Sequence, residues 1–221
     1  MPLEATHIRF ALDLQNKYKI KDLGRYLAGT IYPDSHHITG IDRELVHSNK
    51  FLLPEFATDD FNMGWQVHQI CDLVFDTIVE KRLFSNLFSI DHYLYNDQNW
   101  IILTALKAIQ DMNDVQLFDI QKYLELIQYA HNPNGEDIAG VDNYNKIVIN
   151  RYKNKTFTTV EENIDVLLKL GVKFSLCEQI RIKTEEFLQN QKLLDSVKLI
   201  YGEMVNSYSD IVKDKDIKRI C

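Results

Sequence analysis

Glycine and proline are scarce in this chain, eight and four residues respectively among 221. Few turn signals result, and no Gly/Ser-rich linker divides the sequence. Neither G-x-x-x-x-G-K-S/T nor G-x-G-x-x-G occurs, which excludes a glycine loop as a phosphate cradle. No G-x-S-x-G elbow or Cys/His nucleophile arrangement stands out. Cysteine is limited to Cys71, Cys177 and Cys221, an odd number without a C-x-x-C. That pattern fits free thiols in a reducing compartment rather than a disulfide framework. No run of eighteen apolar residues exists, so no membrane span is expected. The opening Met-Pro-Leu-Glu-Ala-Thr-His has neither a basic region nor an apolar stretch, and a cytoplasmic protein is the expectation. Basic residues are outnumbered, 25 Lys+Arg to 32 Asp+Glu for a net charge of −7, which argues against a broad nucleic-acid-binding face.

What is present is helical periodicity. The spacing of apolar residues predicts helices over 5–19, 20–32, 60–84, 97–112, 115–130 and 137–152, with a strand as the alternative for Lys146-Ile-Val-Ile149. Thr159-x-x-Glu162 is a capping box that opens a helix ended by Gly171. From 175 to 212, Ile180, Phe187, Leu194, Tyr201 and Tyr208 recur every seven residues as a heptad seam. A long helix packed on its own bundle explains the seam, and a homodimer through the C-terminal helix is the alternative. Pro33 to His37 and an aromatic stretch over 85–96 read as connections, and 213–221 as a charged tail. The expectation is one all-α domain over 1–221, a multi-helix bundle with a long C-terminal helix. Its chemistry sits in 1–84 and its helical support in 97–212.

The chemistry is concentrated early. Five of seven histidines, His7, His36, His37, His47 and His68, lie in the first third. His7 centres the apolar face of the first helix. His68 and Asp72 stack one turn apart within the apolar arc of Val67, Cys71, Val74 and Ile78, while Asn62, Gln66, Gln69 and Glu80 form the polar side. Burying an imidazole and a carboxylate unpaired costs several kcal/mol, and a metal ion is the simplest shared partner. Asp34 opens the Pro33 connection. Imidazole plus carboxylate suits Zn²⁺, and also Mn²⁺ or Fe²⁺. Arg43, four residues before His47, is a candidate to contact a phosphate oxygen, as is Lys50. Asp76 extends the 68, 72, 76 series and would orient a ligand. His36 and His37 are alternatives to His47 as ligands. Trp65 reads as core or pocket wall.

The ordered set His7, Pro33-Asp34, Arg43-x-x-x-His47 and Gly64-x-x-x-His68-x-x-x-Asp72 resembles the zinc-dependent phospholipase C family and its related fungal zinc nucleases, across roughly residues 1–84. The resemblance implies an all-helical fold and a zinc-dependent hydrolase of a small phosphoester, phospholipid-like in the family, with metal-bound hydroxide as nucleophile. By it, Asp34, His47 and His68 would hold one ion, Asp72 would bridge, and His7 would help hold a second. The chain departs from that family in lacking the N-terminal Trp ligand. After Asp72 only His92 and His131 remain, and neither has an acid four residues on. One or two ions, rather than three, are therefore expected. An HD-type phosphohydrolase is a second reading, although no His-Asp dipeptide occurs. A non-enzymatic helical scaffold with a structural metal site or core hydrogen bonds is a third.

Overall fold

The computed structural model describes residues 4–83 and 97–217. Nine α-helices appear among them and no strand: α1 Glu4–Tyr18, α2 Leu23–Ile31, α3 His36–Thr39, α4 Asp60–Leu83, α5 Asp97–Leu117, α6 Ile138–Tyr152, α7 Val160–Lys169, α8 Phe174–Leu188 and α9 Gln191–Ile217. The all-α expectation holds. No helix among the described residues is long and apolar enough to cross a membrane. The aromatic connection over 85–96, with Phe88, His92, Tyr93 and Tyr95, lies outside the described residues, as does Cys221.

Helix α4 is the axis of the bundle. It packs against α2, α9 and α1, and Val67, Cys71, Val74, Phe75 and Ile78 sink into the main core. Its start is set by Asp59, whose Oδ1 accepts from the Asn62 amide at 2.9 Å. Asp60, its neighbour, accepts from the Lys21 and Asp22 amides at 3.2 and 2.6 Å and ties down the α1–α2 turn. Helix α2 starts three residues later than its apolar pattern suggested, because Asp22 caps it through the Arg25 amide. The two helices cross with their backbones nearly touching. A Cβ on Gly64 would lie 1.9 Å from the Tyr26 carbonyl oxygen, and one on Gly29 2.0 Å from that of Phe61.

Pro33 does not open a loop. It occupies the first turn of a 3-10 segment, Tyr32–Ser35, that runs straight into α3. A proline is tolerated there because its missing amide would have had no helical partner. Beyond Thr39, residues 40–50 form 3-10 turns at Arg43–Leu45 and Asn49–Leu52 rather than a full helix or an extended strand. The expected polar side of α4 is also not a solvent face. Gln66 is buried and donates to the Phe51 and Leu53 carbonyls at 3.1 and 2.7 Å, and Gln69 donates to that of Val46 at 3.0 Å. These amides hold the 43–56 segment against α4.

Two other boundaries moved. The helices expected over 97–112 and 115–130 become one helix, α5, followed by 3-10 turns at Ile120–Tyr123 and Leu126–Gln128. Asn113-Asp114 contains no breaker, and Asp114 is drawn inward by Thr6 Oγ1 at 2.5 Å and Arg9 Nη1 at 2.6 Å. Leu117 ends up exposed while Ile120, Leu124 and Ile127 are buried, so one continuous helix would misplace them. The long final helix is likewise two, α8 and α9. Asn190 breaks it by accepting from the Leu193 amide at 3.1 Å. The seam therefore changes neighbours along its length: α8 packs on α5 and α7, and α9 chiefly on α4, with Val197, Tyr201 and Met204 buried inside the chain. Residues 146–149 lie in α6, not a strand, and the Thr159–Glu162 capping box is present.

A buried polar hub fixes the start of α1. Arg151 of α6 donates to Glu4 at 2.8 Å, to Asp111 at 2.7 Å and to Asn163, and Tyr152 Oη reaches both carboxylates. Each ion in the hub has a partner, as charges so far from water require. Anchoring Glu4 sets the phase of α1, and His7 follows one turn later.

The crossing of α2 and α4 makes a direct prediction. Gly64→Ala forces the two backbones apart and is expected to destabilise the fold by about 1–3 kcal/mol or more. Gly202→Ala, in the exposed interior of α9 with open space around its Cβ, should stabilise it by about 0.5–1 kcal/mol. Thermal or urea melts of the two variants measure both; equal effects would contradict the close crossing.

Candidate metal centre

The α2–α4 crossing carries His68 beneath the end of α2. Its Nδ1 lies 2.8 Å from the Thr30 carbonyl oxygen, so Nδ1 holds the proton and Nε2 presents its lone pair. Asp34 descends from the 3-10 turn just beyond α2, and its carboxylate lies 4.0 Å from His68 Nε2. His47 arrives from the clamped segment: the Trp65 indole and the Gln69 amide both donate to the carbonyl of the preceding Val46. Trp65 is thus core, buried against Tyr32, Phe51 and Phe56. His47 Nε2 sits 3.1 Å from His68 Nε2 and 3.3 Å from Asp34 Oδ1. Asp72 Oδ2 is 3.5 Å from His68 Nε2.

These separations can be compared with those between ligands of one metal ion. Bonds of about 2.0–2.1 Å in a tetrahedral site give ligand–ligand edges of about 3.3–3.4 Å. The acceptors also outnumber the protons available. A single proton on His47 Nε2 can serve either Asp34 or His68 at one time, whereas a cation at the middle would serve all of them. Asp34, His68 and His47 are buried or nearly so.

His7 stacks on His68 with ring centroids 4.0 Å apart and 9° between planes. Its Nε2 points at Asp72 Oδ1, 3.6 Å away. His36 joins Asp34 and His47 within ligand reach, while its own Nδ1 donates to the Pro33 carbonyl at 2.9 Å. His37 packs against His36 with the rings tilted by 38° and is not part of any such group among the described residues. Asp76 contacts Lys107 at 3.5 Å. His131 packs on Phe61 and Tyr129, away from the cluster.

The electrostatics favour ligands over charged imidazoles. Burial keeps the His47 and His37 imidazoles down at about 3, and burial together with His68 lowers His7. Burial works against the Asp34 and Asp72 carboxylates, yet nearby positive charge together with a hydrogen bond from His47 holds Asp34, and Lys107 above all holds Asp72, well below the usual range. Neutral imidazoles beside ionised carboxylates are the protonation state that metal binding needs.

The cluster opens onto a cleft of about 680 Å³. Asp34, His47, Asp72 and Lys107 line it beside the apolar Leu52, Leu73, Trp100 and Leu103. Arg43 also lines it and is exposed, while Lys50 does not and lies over the Phe51 ring. Lys107 was missed by sequence reasoning. Its only signal was its position one turn before Asp111 on a helix whose polar residues Thr104, Gln110, Asp111 and Asp114 are all buried.

A neutral, buried His47 makes stability fall in acid. Its imidazole titrates at 6.5 when unperturbed but at about 3 in the fold. The unfolded chain therefore takes up a proton that the folded chain refuses, and this stabilisation is complete above about pH 6.5 and lost as pH falls toward 3. In metal-free protein, His47→Gln is expected to lower the slope of unfolding free energy against pH by about 1.4 kcal/mol per unit between pH 6 and 4. Urea melts across that range measure it, and an unchanged slope would contradict a neutral His47.

Compared with known proteins, the chain matches no protein-family model, no curated protein and no solved structure. The likeness to the zinc-dependent phospholipase C family rests on the ordered residues themselves.

Proposed function

We propose that this chain is a metal-dependent hydrolase of a small phosphoester, with zinc as the preferred ion. The observation that carries the reading is the convergence of Asp34 Oδ1, His47 Nε2 and Asp72 Oδ2 on His68 Nε2, at 4.0, 3.1 and 3.5 Å, with His47 Nε2 also 3.3 Å from Asp34 Oδ1. These four residues hold the ion. An ion so held supplies Lewis acidity, activating water near neutral pH and polarising a phosphoryl oxygen. Thr30 fixes the His68 tautomer, and Trp65 and Gln69 fix the backbone before His47, so the ligands are set before anything binds. Arg43 meets a phosphate oxygen from the exposed side of the cleft. Leu52, Leu73, Trp100 and Leu103 exclude water on one side and favour an ester with an apolar or aromatic group.

Elemental analysis of the untreated protein tests this first, and a bound transition metal is expected. Chelation should lower the melting midpoint by about 5–10 °C. An ion at a hundredfold excess over its Kd is worth about 2.7 kcal/mol, and each kcal/mol moves a domain of this size by about 2–4 °C. His68→Asn should abolish hydrolysis of a chromogenic phosphodiester or monoester while remaining folded. No bound metal with no melting shift on chelation would overturn the reading, as would unchanged hydrolysis by the variant.

A further inference from the structure

The cluster already contains a cation. Lys107 reaches in from α5, and its Nζ lies 2.7 Å from Asp72 Oδ1 and 3.5 Å from Asp76 Oδ1. His7 Nε2 is 3.6 Å from that same Asp72 oxygen, is buried, and has no hydrogen-bond partner among the described residues. Asp72 therefore faces two ways. Its Oδ2 turns to His68, and its Oδ1 turns to the ammonium. A carboxylate bridging two metal ions divides its oxygens in this manner, and the ions in such pairs sit about 3.5–4 Å apart. Two carboxylates, Asp72 and Asp76, meet at the Lys107 ammonium, and the His7 imidazole reaches the same Asp72 oxygen, donor types that suit a divalent ion. The occupant is an ammonium.

We propose that Lys107 Nζ takes the place of a second metal ion, so that the centre holds one transition-metal ion, between Asp34, His47, His68 and Asp72. The inference rests on the metal reading above. Charge supports it. Formally, Asp34, Asp72 and Asp76 against Lys107 sum to two minus among these side chains, which one divalent ion balances. Asp72 and Asp76 both contact the Lys107 ammonium, so its charge is met by carboxylates from one face of α4. A lysine is also a point charge with three donors, able to contact a carboxylate and still direct a proton into the cleft that it lines. Lys107 thus doubles as a resident cation beside any phosphoryl group bound at the ion.

The test counts ions. Protein stripped by chelation is equilibrated with excess Zn²⁺, freed of loose ion by gel filtration, and its zinc measured per chain. The wild type is expected to hold one, Lys107→Met two, and Lys107→Arg, which keeps the charge, one. Melting curves confirm that each variant is folded, and Lys107→Gln carries the same expectation as Lys107→Met if the latter does not fold. Two ions in the wild type, or one in the folded Met or Gln variant, would overturn the role given to Lys107 and leave the metal reading standing. No zinc in the wild type would overturn both.

Discussion

Two helix backbones meet where Gly29 and Gly64 leave no room for a side chain, and the rest of the site follows from that contact. Only at such an approach can the Thr30 carbonyl at the end of α2 reach His68 Nδ1, one turn past Gly64 on α4. The bond fixes the imidazole, and the 3-10 turn that continues α2 drops Asp34 beside it. A wider crossing would separate the two carriers of the cluster. Van der Waals contact between backbones therefore sets the geometry, and the polar groups inherit it.

Support comes from outside that crossing as well. The Arg151 hub fixes where α1 begins and hence where His7 stands. Gln66, Gln69 and Trp65 hold a segment with little regular structure of its own, and His47 is positioned through the carbonyl of its neighbour. The cluster thus draws on α1, α2, α4, α5 and two short connections. Its members are carboxylates, imidazoles and one lysine, gathered at the buried end of an open cleft.

The sequence made part of this legible. Helical periodicity identified α1, α4, α6 and α7 to within a few residues, because each is apolar on one side and has a recognisable cap or breaker. His68 and Asp72 stood out as polar residues inside an apolar arc, and His7, Asp34 and His47 converge with them in the structure. The missed features were tertiary in origin. A lysine on a helix ordinarily reaches solvent, and Lys107 is buried only because Asp72 and Asp76, from a different helix, receive it. Gln66 and Gln69 looked solvent-facing because the segment they hold has no periodic signal. The break at Asn190 was hidden by a heptad pattern that continues across it while changing partners from α5 and α7 to α4. Between His36, His37 and His47, spacing offered no ranking; the distances bring His36 and His47 into reach and leave His37 aside.

The central claim is that Asp34, His47, His68 and Asp72 surround the position of one ion. A crystal of the zinc-loaded protein, measured on both sides of the zinc absorption edge, tests it most directly. The account predicts one strong anomalous peak, about 2.0–2.1 Å from the Nε2 atoms of His47 and His68. A map with no peak there, or with zinc only at a surface histidine such as His131, would contradict it.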